Sequence, residues 1–284
     1  MIADARRQAF SAARMKKEDP IMNIRNWEVR PLDKDRAAAL AQAYHIPFFL
    51  AMLMNIRGFD GAEEIESFLG AGAPLTDPFL LKDMDRAVER ITRAIDAMEK
   101  IAVYGDYDAD GVTSTSMVYS YLETRGADVL YYIPQREGEG YGMNIGAVEH
   151  LASLGVSLIV TVDNGISSVR EVERARELGV DVVITDHHRP QETLPAAVAV
   201  IDAYRKDDES PYKDFSGAGI AFKLLMALEE GAGELDDLIE AYGDLAAIGT
   251  IGDVVPLTGE NRTLVSAGLR LLSSSARPGV RALL

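Results

Sequence analysis

Aspartates and histidines gather in four short clusters along this chain. Asp106, Asp108 and Asp110 alternate with other residues and are followed by Gly111. Asp163 heads an Asp-Asn-Gly turn, Asp186 precedes His187 and His188, and Asp253 stands between Gly252 and a Val-Val-Pro run. Carboxylates with a few imidazoles suit manganese, magnesium or similar hard ions better than a closed structural zinc site. So many like charges brought together would repel one another unless a cation intervened. Two divalent ions about 3.5–4 Å apart activate a water and stabilise an in-line displacement at phosphorus. The chemistry these residue types suggest is metal-dependent hydrolysis of a phosphoester.

Each cluster alone also has a simpler reading. An Asp-x-Asp-x-Asp-Gly run is often a solvated turn, or part of a calcium loop. The calcium-hand form needs a glutamate at its twelfth position, where Met117 stands. Asp163-Asn-Gly reads equally well as a turn. His187 and His188 could be a surface pair or a helix cap, and Asp253 a cap. His45 and His150 read as structural. Two glycine-rich stretches add a further possibility. Gly138–Gly142 follows Arg136, and Gly217 and Gly219 precede a helix, where backbone can approach an anion closely. Phosphate contact and a plain tight turn both stay open for them, and neither is a Walker loop. Thr113, Ser114 and Thr115 read as the capped opening of a helix.

The elements that must position these groups are legible from periodicity. Residues 33–70 read as two or three short helices, and a Gly/Pro stretch over 70–78 breaks the pattern. Met84, Val88, Ile91, Ile95 and Met98 recur at helical spacing and predict a helix over 83–98. From residue 100 strands and helices alternate. Strands are expected at 101–105, 129–133, 157–162, 181–185 and 197–201, with helices near 113–124, 145–154 and 168–178. That pattern predicts an α/β fold, a parallel sheet of about five strands with helices on both faces. After residue 217 the pattern is helical, over 218–230, 234–248 and 260–273. Asp106–Asp110, Asp163 and Asp186–His188 each follow a strand, so they fall on the carboxyl edge of the sheet, where ligands bind in such folds. Joint placement on one edge favours the catalytic reading over the separate simple ones.

Composition narrows the class. The chain has no cysteine, which excludes disulfides, thiolate zinc and cysteine nucleophiles. No apolar run approaches a membrane span, and the polar, charged first residues lack a leader-like apolar core, which predicts a cytoplasmic protein. A formal net charge of −16 is unlike a protein that merely coats nucleic acid. Either the partner is not nucleic acid, or bound metal supplies positive charge locally and basic surface lies elsewhere.

The four acidic clusters, in this order and at these strand ends, resemble the DHH phosphoesterase superfamily, and within it the branch of single-stranded-DNA exonucleases. Weaker similarity covers Ile133–Arg136 with Glu139–Gly142, Gly217–Leu224 and Asp77–Met84, so the resemblance spans roughly 27–275. It implies a site for two manganese ions, with magnesium as a substitute. Asp108, Asp110, Asp163, Asp186, His187 and Asp253 then stand as ligands, with Asp163 bridging. His188 and Asp106 stand as the catalytic pair, His188 orienting or protonating near the scissile phosphate. Arg136, Gly217 and Gly219 stand as substrate contacts. Other branches carry a histidine four residues before the first metal-binding aspartate, where this chain has Tyr104. The implied division is a disordered tail over 1–21, a helical N-terminal region over 22–99 and a DHH catalytic domain over 100–284. The DHH-associated second domain is expected to be absent, as in a fragment. The implied activity is 5′-to-3′ hydrolysis of single-stranded DNA, in DNA repair and recombination. The strand would be handed over by a single-strand-binding protein or helicase, with no membrane partner. Two other readings compete: a phosphoesterase for nanoRNA or small nucleotides, and a non-catalytic replication scaffold that has lost its metals.

Overall fold

The computed structural model describes residues 30–59, 61–70, 72–229 and 235–284. The tail expected over 1–21 lies outside them. The chain divides into two compact units, residues 1–61 and 62–284. In the first, α1 (Lys34–Ala43) is capped by the Asp33 side chain, which accepts the Arg36 N–H. Its neighbour α2 (Phe48–Arg57) starts after Pro47 and ends on the left-handed Gly58. Ala37, Ala51 and Met54 are buried, and the Asp33 N–H donates to Asn55 Oδ1 at 3.0 Å.

The second unit begins with α3 (Ala62–Leu69), a 3-10 turn at Pro78–Leu80 and α4 (Met84–Asp96). Strands and helices then alternate: β1 (Lys100–Tyr104), α5 (Ala109–Thr124), β2 (Asp128–Tyr132), α6 (Ile145–Ser153), β3 (Leu158–Val162), α7 (Val169–Glu177), β4 (Asp181–Thr185) and β5 (Ala199–Ile201). Helices α8 (Gly217–Leu228), α9 (Leu235–Gly252), α10 (Gly259–Leu272) and α11 (Pro278–Leu283) follow. The five strands are all parallel, in the order β2-β1-β3-β4-β5. Strand limits agree with the sequence reading to within two residues.

Strand side chains alternate between two cores, as the two-residue period requires. Ile101, Val103, Leu158, Val160, Val183, Ala199 and Ile201 face one core, shared with α4, α5, α8 and α9. Ala102, Tyr104, Ile159, Val182, Ile184 and Val200 face the other, shared with α6 and α7. Burial on both faces is why these strands read as continuous apolar runs. Helix α4 buries Met84, Ala87, Ile91 and Ala94 in the first of these cores, within the unit that begins at residue 62. Among the described residues no helix is long and apolar enough to cross a membrane.

Helix α5 departs most from expectation. It starts at Ala109, four residues before the predicted Thr113, with Asp108 as its N-cap, accepting the Gly111 N–H at 2.9 Å. The residues expected to cap it lie inside the helix. Thr113 and Thr115 donate their hydroxyls to the Ala109 and Gly111 carbonyls, and Ser114 is buried.

Candidate active site

Strands β1, β3 and β4 deliver their acidic groups to one edge, at the point where the chain, having run outward to β2, returns to the other side of β1. Asp106 follows β1 and is buried, and the exposed Asp108 caps α5. Asp110, in the first turn of α5, turns its buried carboxylate onto the start of α8. The Gly217 N–H donates to Oδ2 at 2.6 Å and the Ala218 N–H to Oδ1 at 2.8 Å. The positive end of that helix favours an anion there. For Gly217 and Gly219 the expected partner is a substrate phosphate, and the partners seen here are internal. Both are buried, the Gly217 N–H is taken by Asp110, and the Gly219 N–H is taken by the Ser216 hydroxyl at 3.0 Å. A glycine is nonetheless required at 217, because a Cβ there would stand 2.5 Å from the Asp163 Cβ.

Asp163 has a left-handed backbone, φ 61°, which aspartate tolerates better than most residues, at a cost of about 1–2 kcal/mol. Its surroundings fix it there. The Asp163 N–H donates to the Thr185 carbonyl at 3.0 Å, Thr161 donates its hydroxyl to the Asn164 carbonyl, and the Asn164 amide ties to the Tyr104 and Val162 carbonyls.

After β4, Asp186 is fully engaged. Its Oδ1 accepts the backbone N–H groups of His187 and His188 at 2.7 and 3.1 Å and pairs with His188 Nδ1 at 2.7 Å. Its Oδ2 accepts the Ile166 N–H at 2.9 Å. Burial alone would raise this carboxyl, but the His188 and backbone hydrogen bonds outweigh it and hold it below the usual range. Asp186 therefore orients His188, and the geometry does not place it among the converging donors. The Asp186 hydrogen bond, against the opposing effect of desolvation, pushes His188 up to about 9.

His187 points the other way. Its Nε2 lies 3.1 Å from Asp163 Oδ1, 3.6 Å from Asp253 Oδ2 and 3.8 Å from Asp110 Oδ2. Asp253 reaches this cluster from just beyond the end of α9. Three sets of donor atoms each fit within 4.8 Å: Asp106 with Asp108 and Asp163; Asp163 with His187 and His188; and Asp110 with His187 and Asp253. Asp106 Oδ1, Asp163 Oδ1 and His187 Nε2 are all buried without a hydrogen-bond partner. Burial, then the charges of Asp186 and Asp108, pushes the Asp163 carboxyl up to about 9. Burial and Asp163 likewise raise Asp110. A cluster of carboxylates and one imidazole, orphaned and electrostatically strained, fits divalent cations.

Other groups complete the site. Tyr104, at the position where other branches carry histidine, is buried and donates its hydroxyl to the Gly142 carbonyl at 3.2 Å, so it supplies no replacement ligand. Arg136 is exposed, its guanidinium 5.2 Å from the centroid of the Tyr107 ring. Two residues escaped the sequence reading. Asp202, directly after β5, is wholly buried with Oδ2 unpartnered, and burial pushes it up to about 7. Following the strand-end rule to the fifth strand would have found it. Tyr141 lies against His188, and only its place in the 138–142 glycine run hinted at it.

The profile of the DHH family, N-terminal domain, matches residues 100–250, and the chain belongs to that family. Within it, the chain is similar to the single-stranded-DNA-specific exonuclease RecJ of Bacillus subtilis (strain 168), at 46% identity over 259 residues, covering 91% of this chain and 32% of that protein. A crystal structure of exonuclease RecJ bound to manganese superposes with a TM-score of 0.66 at 42% identity, covering 74% of this chain and 53% of the other. RecJ from Thermus thermophilus in complex with Mn2+ gives 0.71 at 34% identity, covering 90% and 36%. The chain spans less than half the length of the curated relatives it matches most strongly.

Proposed function

We propose that this chain carries the catalytic half of a manganese-dependent exonuclease that hydrolyses single-stranded DNA from the 5′ end. The observation that carries the reading is that three donor sets overlap through Asp163 and His187, and that Asp106 Oδ1, Asp163 Oδ1 and His187 Nε2 within them are buried without a hydrogen-bond partner. Asp108, Asp110, Asp163, His187 and Asp253, with Asp106 beside them, would hold manganese ions, or magnesium in their place. When bound, the ions lower the pKa of a coordinated water and neutralise charge developing on the phosphate. The protein does the rest. Asp186 fixes the His188 ring through Nδ1, leaving Nε2 to face the phosphate and move a proton. The start of α8 holds Asp110 in place, and Arg136, backed by the Tyr107 ring, meets the next phosphate along the strand.

The DNA preference and the polarity rest on the resemblance to RecJ. So do a cytoplasmic setting, a role in repair or recombination, and a single-strand-binding or helicase partner. All the metal-site aspartates and both histidines are present, which disfavours a scaffold without metals. The test is manganese-dependent release of nucleotides from end-labelled single strands. Asp163→Ala is expected to abolish release, by at least about a thousandfold for loss of a shared metal ligand; unchanged release would sink the mechanism.

A further inference from the structure

The loop between β2 and α6 brings Tyr141 against the His188 imidazole at the site. The Tyr141 hydroxyl lies 3.1 Å from His188 Nε2 and 3.2 Å from Nδ1; Nδ1 is already taken by Asp186 at 2.7 Å, so Nε2 is the atom left to share. The two rings meet edge to face, with centroids 5.6 Å apart. The Tyr141 hydroxyl also donates to the Asp163 carbonyl at 3.5 Å. The loop is pinned on both sides of Tyr141. Before it, the Glu139 carboxylate accepts the Tyr132 hydroxyl and, at 2.6 Å, the Gln135 N–H. After it, the Gly142 carbonyl accepts the Tyr104 hydroxyl. Glycines with positive φ at 138, 140 and 142 let the chain turn sharply between these anchors. Tyr141 itself stays exposed.

We propose that Tyr141 is a substrate-positioning residue whose hydroxyl, together with His188 Nε2, grips one non-bridging oxygen of the substrate phosphate. Two donors about 3 Å apart can both reach a single acceptor oxygen at ordinary hydrogen-bond lengths. Without a phosphate they bond to each other, as here; a charged acceptor draws both. The anchored loop gives the hydroxyl its place before substrate arrives, so little ordering is left to be done on binding.

The proposal rests on the phosphodiesterase reading, and two measurements separate their failures. The first is steady-state hydrolysis of single-stranded DNA with manganese by wild type and Tyr141→Phe, which keeps the ring and both anchors. KM is expected to rise about tenfold with kcat little changed, the loss of one charge-assisted hydrogen bond. The second is calorimetric binding of inorganic phosphate to the manganese-loaded chain, expected to weaken about tenfold in the variant. Phosphate binding that depends on Tyr141 in a chain that hydrolyses nothing would support the grip and overturn only the hydrolase reading. Unchanged KM and unchanged phosphate affinity would overturn the proposal, as would a loss confined to kcat. A wild-type chain that neither binds phosphate nor hydrolyses DNA would overturn both.

Discussion

Burial raises the carboxyls of Asp163 and Asp110 above the ordinary carboxylate range, helped by the charges of Asp186 and Asp108 at Asp163 and by that of Asp163 at Asp110. A carboxyl raised in the folded state contributes stability that is complete below its unfolded value of about 4 and is lost as pH climbs toward the folded value. For Asp163 that window runs up to about 9. Without metal the fold therefore weakens across this range, while a bound cation replaces the protons and removes the strain. The gap in thermal midpoint between manganese-loaded and chelator-treated protein is expected to widen from about pH 6 to about pH 8.5. Calorimetric scans at the two pH values check it, and a gap that narrows would contradict the assignment. The meeting of Asp108, Asp163 and His187 at one sheet edge was legible because their strand-end position is a local pattern. Asp186 was legible as a member of the site but not in its role. Four donors already occupy its oxygens, which no sequence pattern announces.

At the level of elements, the strands were readable because burial on both faces leaves an unbroken apolar run. The start of α5 was not, since Asp108-Ala-Asp-Gly has the composition of a turn. It winds into helix because Asp108 caps it and Asp110 finds its partners at α8, over a hundred residues away, which no local window reveals. The same distance hides the role of Gly217. Gly217→Ala would force its methyl onto the Asp163 Cβ. It is expected to cost about 1–3 kcal/mol of stability, as overpacking does, and to weaken manganese binding by displacing Asp163. Denaturant titration and metal calorimetry on the same variant check both effects; unchanged metal affinity would show that the contact relaxes elsewhere.

Across the catalytic unit, the helices after the sheet are joined to the segment before the 3-10 turn by a buried ion pair. Lys223 on α8 meets Glu260 on α10 at 2.9 Å, both almost wholly buried, and both also bond Thr76. Breaking it from one side leaves a bare buried charge, so Lys223→Met alone is expected to cost about 3–5 kcal/mol. The double variant Lys223→Met/Glu260→Met should lose clearly less than the two single losses added, and a double-mutant cycle by urea unfolding measures the difference. Additive losses would mean the pair does not act as a unit. That α4 packs against the sheet was not readable, because its apolar stripe looks the same whether it serves its own bundle or a distant sheet. Asp253 has a consequence of its own. It returns to the site from the end of α9, with all five strands lying between it and Asp108 except the first. An ion held by Asp110 and Asp253 would act as a removable chelate cross-link, closing a loop that includes most of the sheet. Loading with metal would then report that every element between those two aspartates has docked.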